Sequence, residues 1–70
     1  MATRIVHPGE ILFEEFLKPY GLTPSGLALR LDIPANRMTE IVGGKRSITP
    51  DTAILLAEAF GTSVELWLNL

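Results

Sequence analysis

Residues 23–46 read Thr23-Pro24-Ser25-Gly26-Leu27-Ala28-Leu29-Arg30-Leu31-Asp32-Ile33-Pro34-Ala35-Asn36-Arg37-Met38-Thr39-Glu40-Ile41-Val42-Gly43-Gly44-Lys45-Arg46. They divide into two short helical segments around a tight turn. Thr23 is placed to cap the first segment. Pro24 is placed to open it, since proline has no amide hydrogen to leave unpaired. Leu27, Ala28 and Leu31 fall at i, i+1 and i+4, on one side of that helix. Asp32, Ile33 and Pro34 form the turn, and Ile33 can plug the angle between the helices. In the second segment Met38, Ile41 and Val42 fall at i, i+3 and i+4 and anchor it from one side. Ala35, Asn36, Arg37, Thr39 and Glu40 are left on the outer side. Gly43 and Gly44 end this helix, and Lys45 and Arg46 follow at once.

Two short helices joined by a few residues form a helix-turn-helix, whose second helix can lie in a DNA major groove. The outer residues are small or hydrogen-bonding, which suits base edges. Asn36 can pair bidentately with adenine, Glu40 can accept from cytosine, and Ala35 can touch a thymine methyl. Ala35, Asn36, Arg37, Thr39 and Glu40 are therefore the candidate base contacts; the alternative is an ordinary solvated face. For Glu40 a further alternative is pairing with Arg37 or Lys45. Lys45 and Arg46 are candidate phosphate contacts, and so are Thr23 and Ser25 at the start of the first helix. The alternatives there are charge compensation at a helix end and plain capping.

Charge is distributed in keeping with this. The whole chain carries −2 at neutral pH, which opposes DNA binding, because affinity leans on cations meeting phosphates. Between residues 23 and 49, however, four basic residues (Arg30, Arg37, Lys45, Arg46) face two acids (Asp32, Glu40), a surplus of +2. Elsewhere Arg4 and Lys18 face six acids, a balance of −4. The basic charge sits on the proposed reading unit, and the small surplus predicts weak binding by a single copy.

Seventy residues allow one domain, residues 1–70. A chain this short buries only about 60% of its unfolded surface, so its stability margin is thin. The apolar fraction of 47% answers that need. There is no cysteine, so no disulfide staples the fold and a reducing interior is acceptable. No apolar run is long enough to span a membrane, and the first residues lack a signal-peptide core. The cytoplasm is the expected location.

Residues 1–6 carry no helix start and read as an N-terminal arm. His7 is placed to cap a helix that Pro8 opens, with Glu10 in the first turn. Ile11, Leu12, Phe13, Phe16 and Leu17 form its apolar stripe, and Pro19 ends it near Lys18. After Arg46, Thr49-Pro50-Asp51 repeats the start signal. Ala53, Leu56, Ala57 and Phe60 form an i, i+3, i+4, i+7 face, widened by Ile54 and Leu55, and Gly61 stops the helix. Thr62 and Glu65 have capping-box spacing for a last helix holding Val64, Leu66, Trp67, Leu68 and Leu70. One short helix cannot hide so many large apolar residues on one side. Leu66, Trp67 and Leu70 are therefore the candidate contacts of a two-fold dimer; the alternative is that two of these large apolar residues complete the core. The sum is five short helices and no strand: an all-α, compact five-helix domain.

Nothing in the chain assembles into a catalytic set. His7 is the only histidine and no cysteine accompanies it, so no metal site is expected. Glu14 and Glu15 are adjacent and do not face each other across a turn. There is no glycine-rich phosphate loop and no nucleophile–base–acid set. No enzyme, cofactor or small-molecule substrate is expected.

Several motifs together resemble a known family. They are His7-Pro8-Gly9-Glu10-Ile11-Leu12, Glu15-Phe16-Leu17, Leu27-Ala28, Ile33-Pro34, Glu40-Ile41-Val42, Gly44-Lys45-Arg46, Ile48-Thr49, Asp51-Thr52-Ala53, Leu56-Ala57 and Gly61-Thr62-Ser63, running into Trp67-Leu68-Asn69-Leu70. The chain resembles the lambda-repressor-like helix-turn-helix proteins and, among them, the HigA (VapI-type) antitoxins of bacterial addiction modules. That resemblance implies a dimer that binds a palindromic operator in its own promoter and neutralises a co-encoded mRNA-cleaving toxin. It also implies that Asp32, where the family usually carries glycine, adopts a left-handed backbone. Gly26 stands where the family usually has a larger residue and weakens its helix by up to about 1 kcal/mol. Two other functions fit the same fold: a phage-type regulator without a toxin, and a protein-interaction module that no longer binds DNA. DNA affinity that falls steeply with salt separates the last from the others.

Overall fold

The computed structural model describes residues 7–70, and the expected arm at residues 1–6 lies outside them. Helix α1 begins as an α-helical turn at Pro8–Ile11 and runs directly into a π-helical stretch at Leu12–Leu17. It is followed by α2 (Pro24–Leu31), α3 (Ala35–Val42), α4 (Pro50–Phe60) and α5 (Val64–Leu68). Among the described residues there is no strand, and no helix is long and apolar enough to cross a membrane.

Two of the four expected cap residues, His7 and Thr23, act as expected. His7 Nδ1 accepts from the Gly9 amide at 2.9 Å, and Thr23 Oγ1 accepts from the Gly26 amide at 3.0 Å. Four helices then stop in the same way. A left-handed residue (Gly21, Asp32, Gly44 or Gly61) lets the next amide reach back five residues to a carbonyl. In α2 that residue is Asp32, at φ 59°, as the family resemblance implied. Its stop is completed by the Ile33 amide donating to the Ala28 carbonyl at 3.0 Å.

Several expectations are corrected. The second half of α1 is π-helical rather than α-helical, with the Lys18 amide donating to the Phe13 carbonyl at 2.8 Å. In a regular α-helix Leu17 would sit about 140° around the axis from Leu12. The wider turn brings both into the core, where each is fully buried. Thr49 holds the cap position of α4, but its hydroxyl donates to the Asp51 carboxylate and caps no amide. The cap of α5 is Ser63, whose Oγ accepts from the Leu66 amide at 3.1 Å, not Thr62. Ile54 faces solvent and does not widen the α4 core face.

The core gathers Leu12 and Leu17 of α1, Leu27 and Ala28 of α2, Met38 and Ile41 of α3, Ala53, Leu56 and Ala57 of α4, and Trp67 of α5. Trp67 was expected at a dimer contact. It is 1% exposed, packed with its ring centroid 4.8 Å from that of Phe16 and 6.2 Å from that of Phe60. Its indole N–H is satisfied by Thr62 Oγ1 at 2.7 Å, which is why Thr62 is not the cap. Leu66, Leu68 and Leu70 stay exposed.

Candidate nucleic-acid interface

Helices α2 and α3 meet through a turn of Asp32, Ile33 and Pro34, with Ile33 half-buried against the core. Met38 and Ile41 are fully buried beneath α3, so the helix cannot rotate without exposing them. Its far end is fixed twice. At the Gly44 stop the Lys45 amide donates to the Glu40 carbonyl at 2.8 Å and the Gly44 amide to the Ile41 carbonyl at 3.1 Å. From the other side Gly9 of α1 packs directly on the backbone: a Cβ there would lie 1.7 Å from the Ile41 oxygen. Glycine is required at this crossing because no side chain fits between the two helices. Sequence reasoning missed Gly9. The signals for it were a glycine inside a helical turn and its place in the His7-Pro8-Gly9-Glu10 motif.

This scaffold leaves Ala35, Asn36 and Thr39 exposed on α3. The Asn36 carboxamide has no partner among the described residues, so its donor and acceptor are both available. Thr39 donates its hydroxyl proton to the Asn36 carbonyl at 3.1 Å, which leaves an oxygen acceptor and a methyl facing outward. Thr23, Ser25 and Lys45 are also exposed, and Lys45 makes no ion pair among the described residues.

Three expected site residues are engaged within the protein. Arg37 turns toward α4, its Nη1 3.5 Å from Asp51 Oδ2. Sequence reasoning did not single out Asp51 as a partner. Thr49's hydroxyl is the main cause that holds the Asp51 carboxyl below the usual carboxylate range; the Thr52 amide and the Arg37 charge act in the same direction. Glu40 pairs with Arg46, neither Arg37 nor Lys45, at 2.8 Å from Nη2 and 3.0 Å from Nε. Among the described residues, Arg37 and Arg46 are thus each paired with a neighbouring acid, whereas Lys45 is not. The surface is polar and hydrogen-bonding more than it is strongly positive.

The helix-turn-helix family matches residues 13–67. The chain is 49% identical over 65 residues to Virulence-associated protein I of Dichelobacter nodosus, covering 93% of this chain and 60% of that protein. Among solved structures it is similar to an addiction module antidote protein of the HigA family from Coxiella burnetii, with 52% identity and a TM-score of 0.89. That match covers 96% of this chain and 73% of the other. It is also similar to the Pseudomonas aeruginosa antitoxin HigA with the higBA promoter, with 42% identity and a TM-score of 0.92 over 94% of this chain and 72% of that one. The chain spans about 60% of the length of the curated relatives it matches.

Proposed function

The chain belongs to the helix-turn-helix family, and on that footing we propose that it is a DNA-binding antitoxin and autorepressor of a type II toxin–antitoxin module. As a homodimer it binds a palindromic operator in its own promoter, and it neutralises a co-encoded mRNA-cleaving toxin. It acts in the cytoplasm, with residues 1–70 as one binding domain. Ala35, Asn36 and Thr39 meet base edges. Thr23, Ser25 and Lys45 meet phosphates and fix the register. Leu66 and Leu70 supply the dimer contact, a role that Trp67 cannot share from inside the core.

One observation carries the DNA-binding reading: Asn36 and Thr39 face solvent on a helix whose Met38 and Ile41 are locked beneath it. The solved HigA structure with promoter DNA supports the operator, and the antitoxin names of the relatives support the toxin partner. In a two-fold dimer the two α3 helices should lie about 34 Å apart, one turn of DNA.

A mobility-shift titration with the DNA upstream of the coding sequence tests this. The wild-type chain retards it, with an affinity that falls steeply as salt rises. The combined variant Asn36→Ala, Thr39→Ala, Lys45→Ala loses the shift while keeping its melting temperature. An unchanged shift in that variant removes this face from the function. Failure to bind any duplex at low salt, together with tight binding to a partner protein, would favour an interaction module instead.

A further inference from the structure

Arg46 follows the stop at Gly44, yet its guanidinium folds back onto α3. Its Nε and Nη2 converge on one Glu40 oxygen, Oε1, at 3.0 and 2.8 Å. The two side chains remain 48% and 39% exposed, so the pair lies at the surface of the reading helix. Each partner keeps capacity unused. Glu40 Oε2 accepts from no donor among the described residues, and Arg46 Nη1 gives to no acceptor. The surface therefore presents an open carboxylate acceptor directly beside the free donors of a guanidinium fork.

We propose that Glu40 and Arg46 act as one unit that reads a cytosine–guanine base pair, Glu40 Oε2 accepting from the cytosine N4 amino group and Arg46 donating to guanine O6 and N7. The proposal rests on the operator-binding reading above and deepens it. In the major groove a cytosine–guanine pair shows two adjacent acceptors on guanine and then an amino donor on cytosine. A fork of two donors beside one acceptor is the complement of that order. An adenine–thymine pair places its donor between two acceptors and adds a methyl, which this arrangement does not match. Glu40 is then also the positioning residue for Arg46, because it holds the guanidinium on the helix face and away from the backbone of the duplex. The internal ion pair also makes Arg46 a poor sequence-independent phosphate clamp, since its charge is already answered.

The test is selection of the chain on a randomised duplex pool, followed by titration of the enriched duplex with every base pair exchanged in turn. One position per half-site should be held as cytosine–guanine, with roughly 5- to 150-fold discrimination against the other pairs. Glu40→Ala and Arg46→Ala should each flatten that same position, and the double variant should lose no more there than either alone. Arg46→Lys keeps the charge but not the fork, and it should flatten the position too. Melting curves show that the variants remain folded. A phosphate role for Arg46 gives a different pattern: Arg46→Ala weakens all duplexes alike, the salt slope falls by about 1, and Arg46→Lys is nearly silent. That pattern overturns the proposal and leaves DNA binding intact, as does loss of preference at unrelated positions. Enrichment of no duplex at all overturns the proposal and the operator reading together.

Discussion

Replacing Gly9 by alanine puts one methyl group between α1 and α3. Its carbon would lie 1.7 Å from the Ile41 oxygen and 2.6 Å from the Ile41 carbonyl carbon. Ordinary contact needs roughly 3.5 Å, so the helices must separate by more than about 1.5 Å. The obstacle is backbone and cannot rotate aside. It is also the carbonyl that accepts from the Gly44 amide in the stop of α3. Overpacking a well-packed site costs about 1–3 kcal/mol, occasionally more, and a backbone clash belongs at the upper end. A domain of this size has about 3.5–10 kcal/mol in all. A loss of about 3 kcal/mol should lower the melting temperature by roughly 12–24 °C, read by circular dichroism. Gly26→Ala is the control. It adds the same methyl to α2, where the nearest atom is the Thr23 hydroxyl oxygen at 3.0 Å. Crowding of that cap offsets a helix-propensity gain of up to about 1 kcal/mol, so the shift should stay within about 8 °C. A Gly9→Ala protein that melts within 4 °C of wild type refutes the idea that the glycine serves this crossing.

Two further tests follow from the polar contacts. The Asp51 carboxyl is lowered, chiefly by Thr49. Its bonds therefore stabilise the fold above the unfolded carboxylate range and are lost as pH falls through the lowered folded value. The melting-temperature gap between wild type and Asp51→Asn should shrink from pH 6 to pH 3, and a constant gap contradicts the assignment. Thr62→Val should cost about 1–3 kcal/mol in urea unfolding, because it leaves the buried indole N–H without its acceptor. A neutral result there means that another acceptor serves Trp67.

The helix-turn-helix was legible because its signals are local: apolar spacing that chooses a face, hydroxyls and prolines at helix starts, glycines past helix ends. The features that were not legible depend on partners distant in sequence or on a change of helical period. The π-helical half of α1 broke the assumption of 3.6 residues per turn, although the apolar residues themselves were identified. The capping-box spacing pointed to Thr62, but its hydroxyl is taken by the Trp67 indole, a partner the local sequence does not reveal, and Ser63 caps instead. On a helix as short as α5, periodicity does not separate the inward Trp67 from the outward Leu66 and Leu70. Arg37 and Lys45 were the expected partners of Glu40, and the path of the chain after Gly44 brought Arg46 there instead. Gly9 showed no requirement until α3 was laid across it.

The buried indole gives the protein an optical probe of its own. Trp67 is the only tryptophan in the chain, and it is shielded by Phe16 and Phe60 on a helix other than the one proposed to meet DNA. Its emission should be blue-shifted in the native state and move to the red when α5 detaches or the chain unfolds. Adding a duplex to folded protein should leave that wavelength in place, so one fluorimeter trace distinguishes a variant that has lost its ligand from one that has lost its shape.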